Sequence, residues 1–272
     1  MWNPVKIHKF SKQLLNRGRD VNHYDEAPDG DDGDRAIVSL YSEMMIPFIF
    51  LYGNVLRSSE DGRKILHATG DKSEDHLLKE YIPKITDGEY LDSLSPNTVG
   101  AHYKHLINKW SFQELYESRF KAMPNASFID KRRANVARHI FLAHDFWHVL
   151  FRYDTSPMGE ACIQAVTGVY TRLFGPTYLA YLIAYKEYRI TGSWDAFKVV
   201  TEARALAKKT SKEFYNLSFD ELLELDVEVV RGRYNIGAPT KFYDYAKEYP
   251  RDFRFDCIHP EYNDPILIEQ TI

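Results

Sequence analysis

Two imidazoles and two carboxylates, His144, Asp145, His148 and Glu160, stand close together in the sequence and are the residues most suited to chemistry. A helix turns about 100° per residue, so imidazoles four residues apart share one face and reach a single ion together. Asp145 lies one step round from His144. It offers either an oxygen at the edge of the same site or a hydrogen bond to a ligating imidazole from behind, and both roles stand open. Glu160 follows after a chain reversal that can return its carboxylate to the histidines. Two imidazoles with one or two carboxylates suit zinc, manganese or ferrous iron, which donor softness does not separate. Taken singly, a histidine pair on a helix, or a glutamate answering the dipole in a first turn, is commonplace. Taken together, four ionisable groups in one apolar stretch would be costly to bury without a shared partner.

The elements that must position them can be read from spacing. Val136, Ile140, Leu142, Phe146, Val149 and Leu150 make the histidine-bearing helix apolar round much of its circumference, which predicts burial. Asp154, Thr155, Ser156 and Pro157 form a stop and restart, with Thr155 or Ser156 as cap and Pro157 in the new first turn. Helical periodicity predicts helices over 36–58, 73–82, 98–109, 130–153, 158–190, 194–215 and 219–232, punctuated at Asp61-Gly62, Asp87-Gly88, Ser95-Pro96-Asn97, Met123-Pro124-Asn125, Ser156-Pro157 and Thr191-Gly192. No set of alternating strands and no internal repeat is evident, so the fold class is all-α, a multi-helix single domain with the metal site between two adjacent helices. Residues 1–35 read as a basic arm and acidic linker, 36–243 as the helical domain, and 244–272 as an irregular tail, the chain turning irregular beyond Pro239.

Composition narrows the function classes. With 39 acidic against 35 basic residues among 272, nothing steers the chain onto nucleic acid. Cys162 and Cys257 belong to no CxxC pair and read as inert thiols of a reducing compartment. The longest apolar runs, such as Met44 to Val55 and Tyr178 to Tyr185, fall short of the ~20 residues that span a bilayer. The first twenty residues carry five Lys or Arg and no acid before Asp20, a solvated arm or one lying on anionic lipid. The acidic, turn-rich segment Asp25 to Asp34 lacks the spacing and closing glutamate of an EF-hand and reads as a flexible, solvated linker.

Two familiar motifs fail. A zinc-peptidase HExxH would need glutamate where Asp145 stands. An HD phosphohydrolase would press His102 or His105 and Asp154 into service, yet has no use for His148. The segment closely resembles the signature of the coenzyme Q biosynthesis protein four family: HDxxH, here His144, Asp145, Phe146, Trp147 and His148, then eleven residues, then Glu160. The resemblance extends to Tyr153-Asp154-Thr155, to Pro96-Asn97-Thr98-Val99-Gly100 with Tyr103, and to Arg233-Tyr234-Asn235-Ile236, about residues 36 to 240 in all. Phe151-Arg152 departs from it, occupying a place where the family often has Thr-Gly, and the acidic insert and the tail after 243 look peculiar to this branch.

What the resemblance implies is a helical protein acting late in ubiquinone assembly. It would bind one divalent metal, zinc first and otherwise manganese, iron or magnesium, through His144, Asp145, His148 and Glu160, which would also be its catalytic residues. The implied substrate is a polyprenylated hydroxybenzoate-type ring precursor, oxidatively decarboxylated at ring carbon one. Were the metal itself to activate oxygen it would have to be iron or manganese, since zinc does not change oxidation state. The alternative is a non-catalytic, prenyl-lipid-binding scaffold of the biosynthetic complex. Implied partners are other quinone-biosynthesis enzymes, a membrane surface and a second copy of the chain. The expected location is the bacterial cytoplasm at the inner membrane, or else the matrix side of the mitochondrial inner membrane. An aromatic stripe, Tyr170, Phe174, Tyr178, Leu179, Tyr181, Leu182 and Tyr185, suits a prenyl groove but is more often core or dimer interface.

Overall fold

A computed structural model describes residues 80–108, 140, 143–171 and 174–250, and the regular structure among them is helical. In chain order the helices are α1 (Ile82–Thr86), α2 (Gly88–Ser93), α3 (Val99–Asn108), α4 (143–151), α5 (Pro157–Thr171), α6 (Phe174–Thr191), α7 (Asp195–Lys209), α8 (Val227–Arg233) and α9 (Thr240–Glu248). Two 3-10 turns, Lys212–Asn216 and Phe219–Glu221, link α7 to α8. Among the described residues no strand forms, and Thr98 and Asp226 make one isolated antiparallel bridge. The all-α expectation holds.

Helix α5 is the central post. Ala161, Cys162, Ile163, Ala165 and Val166 are wholly buried, and α6 and α7 pack against α5 and each other, with α9 packed against α7. Its residues are small where neighbours come close. A Cβ on Gly168 would lie 2.2 Å from the Thr177 hydroxyl of α6, so glycine sets that approach. Burial and the Asp154 carboxylate push the Cys162 thiol upward, which fits its reading as inert.

Helix α4 is pinned from several sides by aromatic rings. Phe146 is stacked on Tyr103 of α3 at 4.2 Å and on Phe219 at 5.1 Å, while Trp147 meets Tyr170 of α5 edge to face at 5.4 Å. Phe151 meets Phe214 at 5.8 Å and, just beyond the helix, Tyr153 meets Phe242 of α9 at 5.0 Å. Burying such a ring contributes roughly 1.5–3 kcal/mol, so the ligand-bearing helix is held from α3, α5, α9 and the 3-10 turns at once.

Several boundaries differ from the sequence reading. The helix expected over 158–190 is two helices, because the Pro176 ring in the first turn of α6 cannot follow an unbroken helical backbone. The helix expected over 219–232 begins only at Val227: Val99 N–H donates to Leu225 O, Gly100 N–H to Leu223 O and Val227 N–H to Asn97 O, each at 2.9 Å, and this pairing holds 223–225 out of helical geometry. A Cβ on Gly100 would stand 2.9 Å from the Leu223 carbonyl, which explains glycine there. The 194–215 helix stops at Lys209 and continues as a 3-10 turn. The stretch expected to be irregular beyond Pro239 opens with α9, whose Phe242, Tyr245 and Ala246 share a buried face. Helices α1 and α2 lie largely where none was expected, α1 with Pro83 in its first turn and α2 capped by the Asp87 carboxylate on Tyr90 N–H. The expected helix 36–58, most of 73–82 and 130–142, the arm and linker, Cys257 and the tail beyond residue 250 lie outside the described residues.

Candidate metal centre

The reversal between α4 and α5 builds the site. Arg152, just past α4, adopts φ +59°, the left-handed turn that favours glycine. It lets Tyr153 N–H return to the His148 carbonyl at 3.1 Å, closing the helix as a Schellman-type cap. Position 152 is where the chain departs from the Thr-Gly pattern, and its backbone still takes the glycine conformation. Ser156 is the N-cap of α5, its hydroxyl accepting from Gly159 N–H at 3.1 Å, with Pro157 as the first helical residue. The Asp154 carboxylate accepts from both Ser156 N–H and the Ser156 hydroxyl, so it belongs to the cap rather than to a phosphohydrolase site. Gly159 permits the tight turn: a Cβ there would sit 1.9 Å from the Asp154 carbonyl.

This turn brings Glu160 across both histidines. Its Oε2 lies 3.2 Å from His144 Nε2, its Oε1 3.3 Å from His148 Nε2, and the three ligand atoms all fall within 4.8 Å of one another. His148 Nδ1 lies 3.0 Å from the Tyr153 carbonyl. A carbonyl only accepts, so Nδ1 carries a proton and Nε2 is the nitrogen turned to Glu160. Asp145 stands behind the site, its Oδ1 3.2 Å from His144 Nδ1. Of the four residues singled out by sequence, His144, His148 and Glu160 converge as one ligand cluster, and Asp145 is brought against His144 from the opposite side. The Tyr153 carbonyl was missed as a functional group. Its signal, a tyrosine straight after the helix stop, says nothing of a backbone atom.

Electrostatics follow the geometry. Burial alone works against a charged His144 imidazole, but the Glu160 carboxylate, with Asp145, more than offsets it and holds the pKa up at about 9. Burial likewise works against a charged Glu160, and His148 and His144 overcome it, keeping the carboxyl well below the usual range. The imidazole of His148 is 1 % exposed, whereas His144 and Glu160 are 20 % and 37 % exposed, so the cluster is closed at His148 and open on the other side.

The residues fit a divalent ion. His148 Nε2 is buried and has no hydrogen bond, an arrangement that costs free energy unless something else engages that nitrogen. Both imidazole Nε2 atoms lie within 3.3 Å of a Glu160 oxygen, one on each oxygen, and the three residues' ligand atoms fall close enough together for one ion to be shared among them.

The model of the family described as Coenzyme Q (ubiquinone) biosynthesis protein Coq4 matches residues 6–240. A relative from Lachancea thermotolerans, the mitochondrial ubiquinone biosynthesis protein COQ4, is 24 % identical over 213 residues, which cover 77 % of this chain and 59 % of that protein. A crystal structure from Nostoc punctiforme, of a protein assigned by name to ubiquinone biosynthesis, is 14 % identical with a TM-score of 0.48, over 88 % of this chain and 100 % of that one.

Proposed function

The chain belongs to the Coenzyme Q (ubiquinone) biosynthesis protein Coq4 family, and from that membership and the ligand cluster we propose that it is a metal-dependent protein of ubiquinone biosynthesis. Its substrate is a polyprenylated hydroxybenzoate-type ring precursor. The reaction is oxidative decarboxylation at ring carbon one: the carboxylate leaves as carbon dioxide, water supplies the hydroxyl that takes its place, and dioxygen accepts the two electrons and leaves as hydrogen peroxide. The observation that carries this reading is the meeting of His144, His148 and Glu160 around the unbonded, buried Nε2 of His148.

His144 Nε2, His148 Nε2 and the Glu160 carboxylate would hold the ion. Once bound, a divalent metal supplies a Lewis acid that polarises the ring carboxylate or phenol oxygen and stabilises the charge left as carbon dioxide departs. His148, held at Nδ1 by the Tyr153 carbonyl, presents Nε2 without reorganisation of the ring. Asp145 holds the His144 ring in orientation from behind, which is the role its contact favours. The exposed flank of Glu160 and His144 leaves an approach for the substrate's polar ring end. No described helix is long and apolar enough to cross a membrane; the prenyl tail of the substrate is what would bring the chain to a membrane surface. The mitochondrial name of the Lachancea relative favours the mitochondrial of the two expected locations.

Aerobic incubation of protein loaded in turn with zinc, manganese, iron or magnesium, with a prenylated, carboxylated ring compound, tests the reading. Carbon dioxide release by the wild type, absent from His148→Ala and Glu160→Ala, supports it. Bound metal without turnover under any loading replaces it with the scaffold.

A further inference from the structure

The helix that carries both histidines ends in the core, where its last carbonyls cannot turn to water. A helix leaves its final C=O groups without intrahelical partners. In α4 the His148 carbonyl is taken by Tyr153 N–H, but Val149 and Leu150 are wholly buried. Their carbonyls are met by one side chain from α8: Arg231 Nη2 donates to Val149 O at 2.6 Å and Nε to Leu150 O at 3.1 Å. The Arg231 guanidinium is 2 % exposed, and a cation buried this deeply is tolerated because acceptors surround it and because it faces the negative end of the α4 dipole. Glu228 anchors it, accepting from Arg231 Nη1 with one oxygen and from Arg152 Nη2 at 2.8 Å with the other. The same carboxylate therefore ties Arg231 to the side chain of the left-handed residue that starts the reversal, whose own carbonyl accepts from the Tyr243 hydroxyl at 3.4 Å.

We propose that Arg231, anchored by Glu228, is a positioning residue for the metal centre: it locks the end of α4 and the turn at Arg152, so that the Tyr153 carbonyl stays on His148 Nδ1 and Nε2 stays turned to Glu160. The role rests on the metal reading above, but the lock itself is a property of the ion-free protein. Nothing in the spacing of the chain points to it, since Arg231 lies 83 positions from His148 and two before the Arg233-Tyr234-Asn235-Ile236 stretch that sequence singled out.

The test is nitrogen NMR of the His148 ring in metal-free protein, following the Nδ1 proton held by the Tyr153 carbonyl, paired with zinc titration and a melting curve, for wild type, Arg231→Met, Arg231→Lys and Glu228→Gln. Wild type shows one ring environment with its Nδ1 proton hydrogen-bonded. Arg231→Met shows that hydrogen bond lost or exchanging and zinc binding weakened about 10–100-fold, the range for loss of an outer partner of a metal ligand. Arg231→Lys recovers part of both. A purely structural arginine would lower the melting temperature and leave the Nδ1 signal and zinc affinity unchanged, and that result overturns the proposal. Should Arg231→Met not fold, Glu228→Gln decides: a lost or exchanging Nδ1 hydrogen bond supports the lock, and a wild-type spectrum with wild-type affinity overturns it. Wild-type protein that binds no zinc or other divalent ion removes the metal reading, while the Nδ1 signal still judges the lock.

Discussion

His144 lies between two carboxylates, with Asp145 on Nδ1 and Glu160 on Nε2. In ion-free protein a proton sits where the metal would bind, which is why burial fails to neutralise the ring and its pKa rises from 6.5 to about 9. A group whose folded pKa is raised stabilises the fold fully below its unfolded value, and that contribution disappears as pH rises through the folded one. With chelator present, the melting temperature is therefore expected to fall between about pH 7 and 9, and His144→Ala is expected to flatten that slope. Glu160, held low, would lose its contribution only in strong acid. Metal affinity runs the opposite way, because the ion must displace the Nε2 proton. Titration calorimetry should show it strengthening by about tenfold per pH unit below pH 9 and releasing a proton on binding. At this scale the sequence was informative: the four-residue spacing placed His144 and His148 on one face, and Glu160 lay beyond a legible reversal. It left Asp145 between two roles because one residue's rotation round a helix does not say which nitrogen its carboxylate meets.

The α4–α5 reversal is the element on which the site depends, and its glycines are not equivalent. At Gly159 an added Cβ meets a backbone carbonyl at 1.9 Å, whereas at Gly168 it first meets a threonine hydroxyl that can rotate away, although the Thr177 backbone follows at 3.0 Å. Gly159→Ala is expected to cost at least the roughly 1–3 kcal/mol of a core overpacking and to weaken metal binding by displacing Glu160. Gly168→Ala is expected to cost less and to leave metal affinity alone, as chemical denaturation with parallel metal titration would show. Ser156→Ala removes the α5 cap and should cost about 1 kcal/mol. The stop, cap and restart at Asp154-Thr155-Ser156-Pro157 were readable because capping residues act locally. The left-handed Arg152 was not, since a glycine conformation carried by arginine has no compositional mark. Nor was the delayed start of α8, which depends on backbone groups at Asn97, Val99 and Gly100 more than a hundred residues away.

For the molecule as a whole, the buried core holds α4 in place through its aromatic contacts, and the metal should add to the fold's stability. An ion that binds only the folded chain stabilises by about 2.7 kcal/mol at a hundredfold excess over its Kd. Wild-type protein should therefore melt at higher temperature as metal is added, and His148→Ala should show no such rise, which scanning calorimetry would reveal. All-α class was visible in the sequence because periodicity is a per-residue signal. The mutual packing of α5, α6 and α7 was not, since it turns on a break near Pro176 and a close approach at Gly168. The most direct measurement of the central claim is elemental analysis of the purified chain after loading with each candidate metal, beside His148→Ala and Glu160→Ala. The account predicts about one ion per wild-type chain and loss of that ion in both variants. A wild type that holds no ion, or variants that hold as much as the wild type, would contradict it.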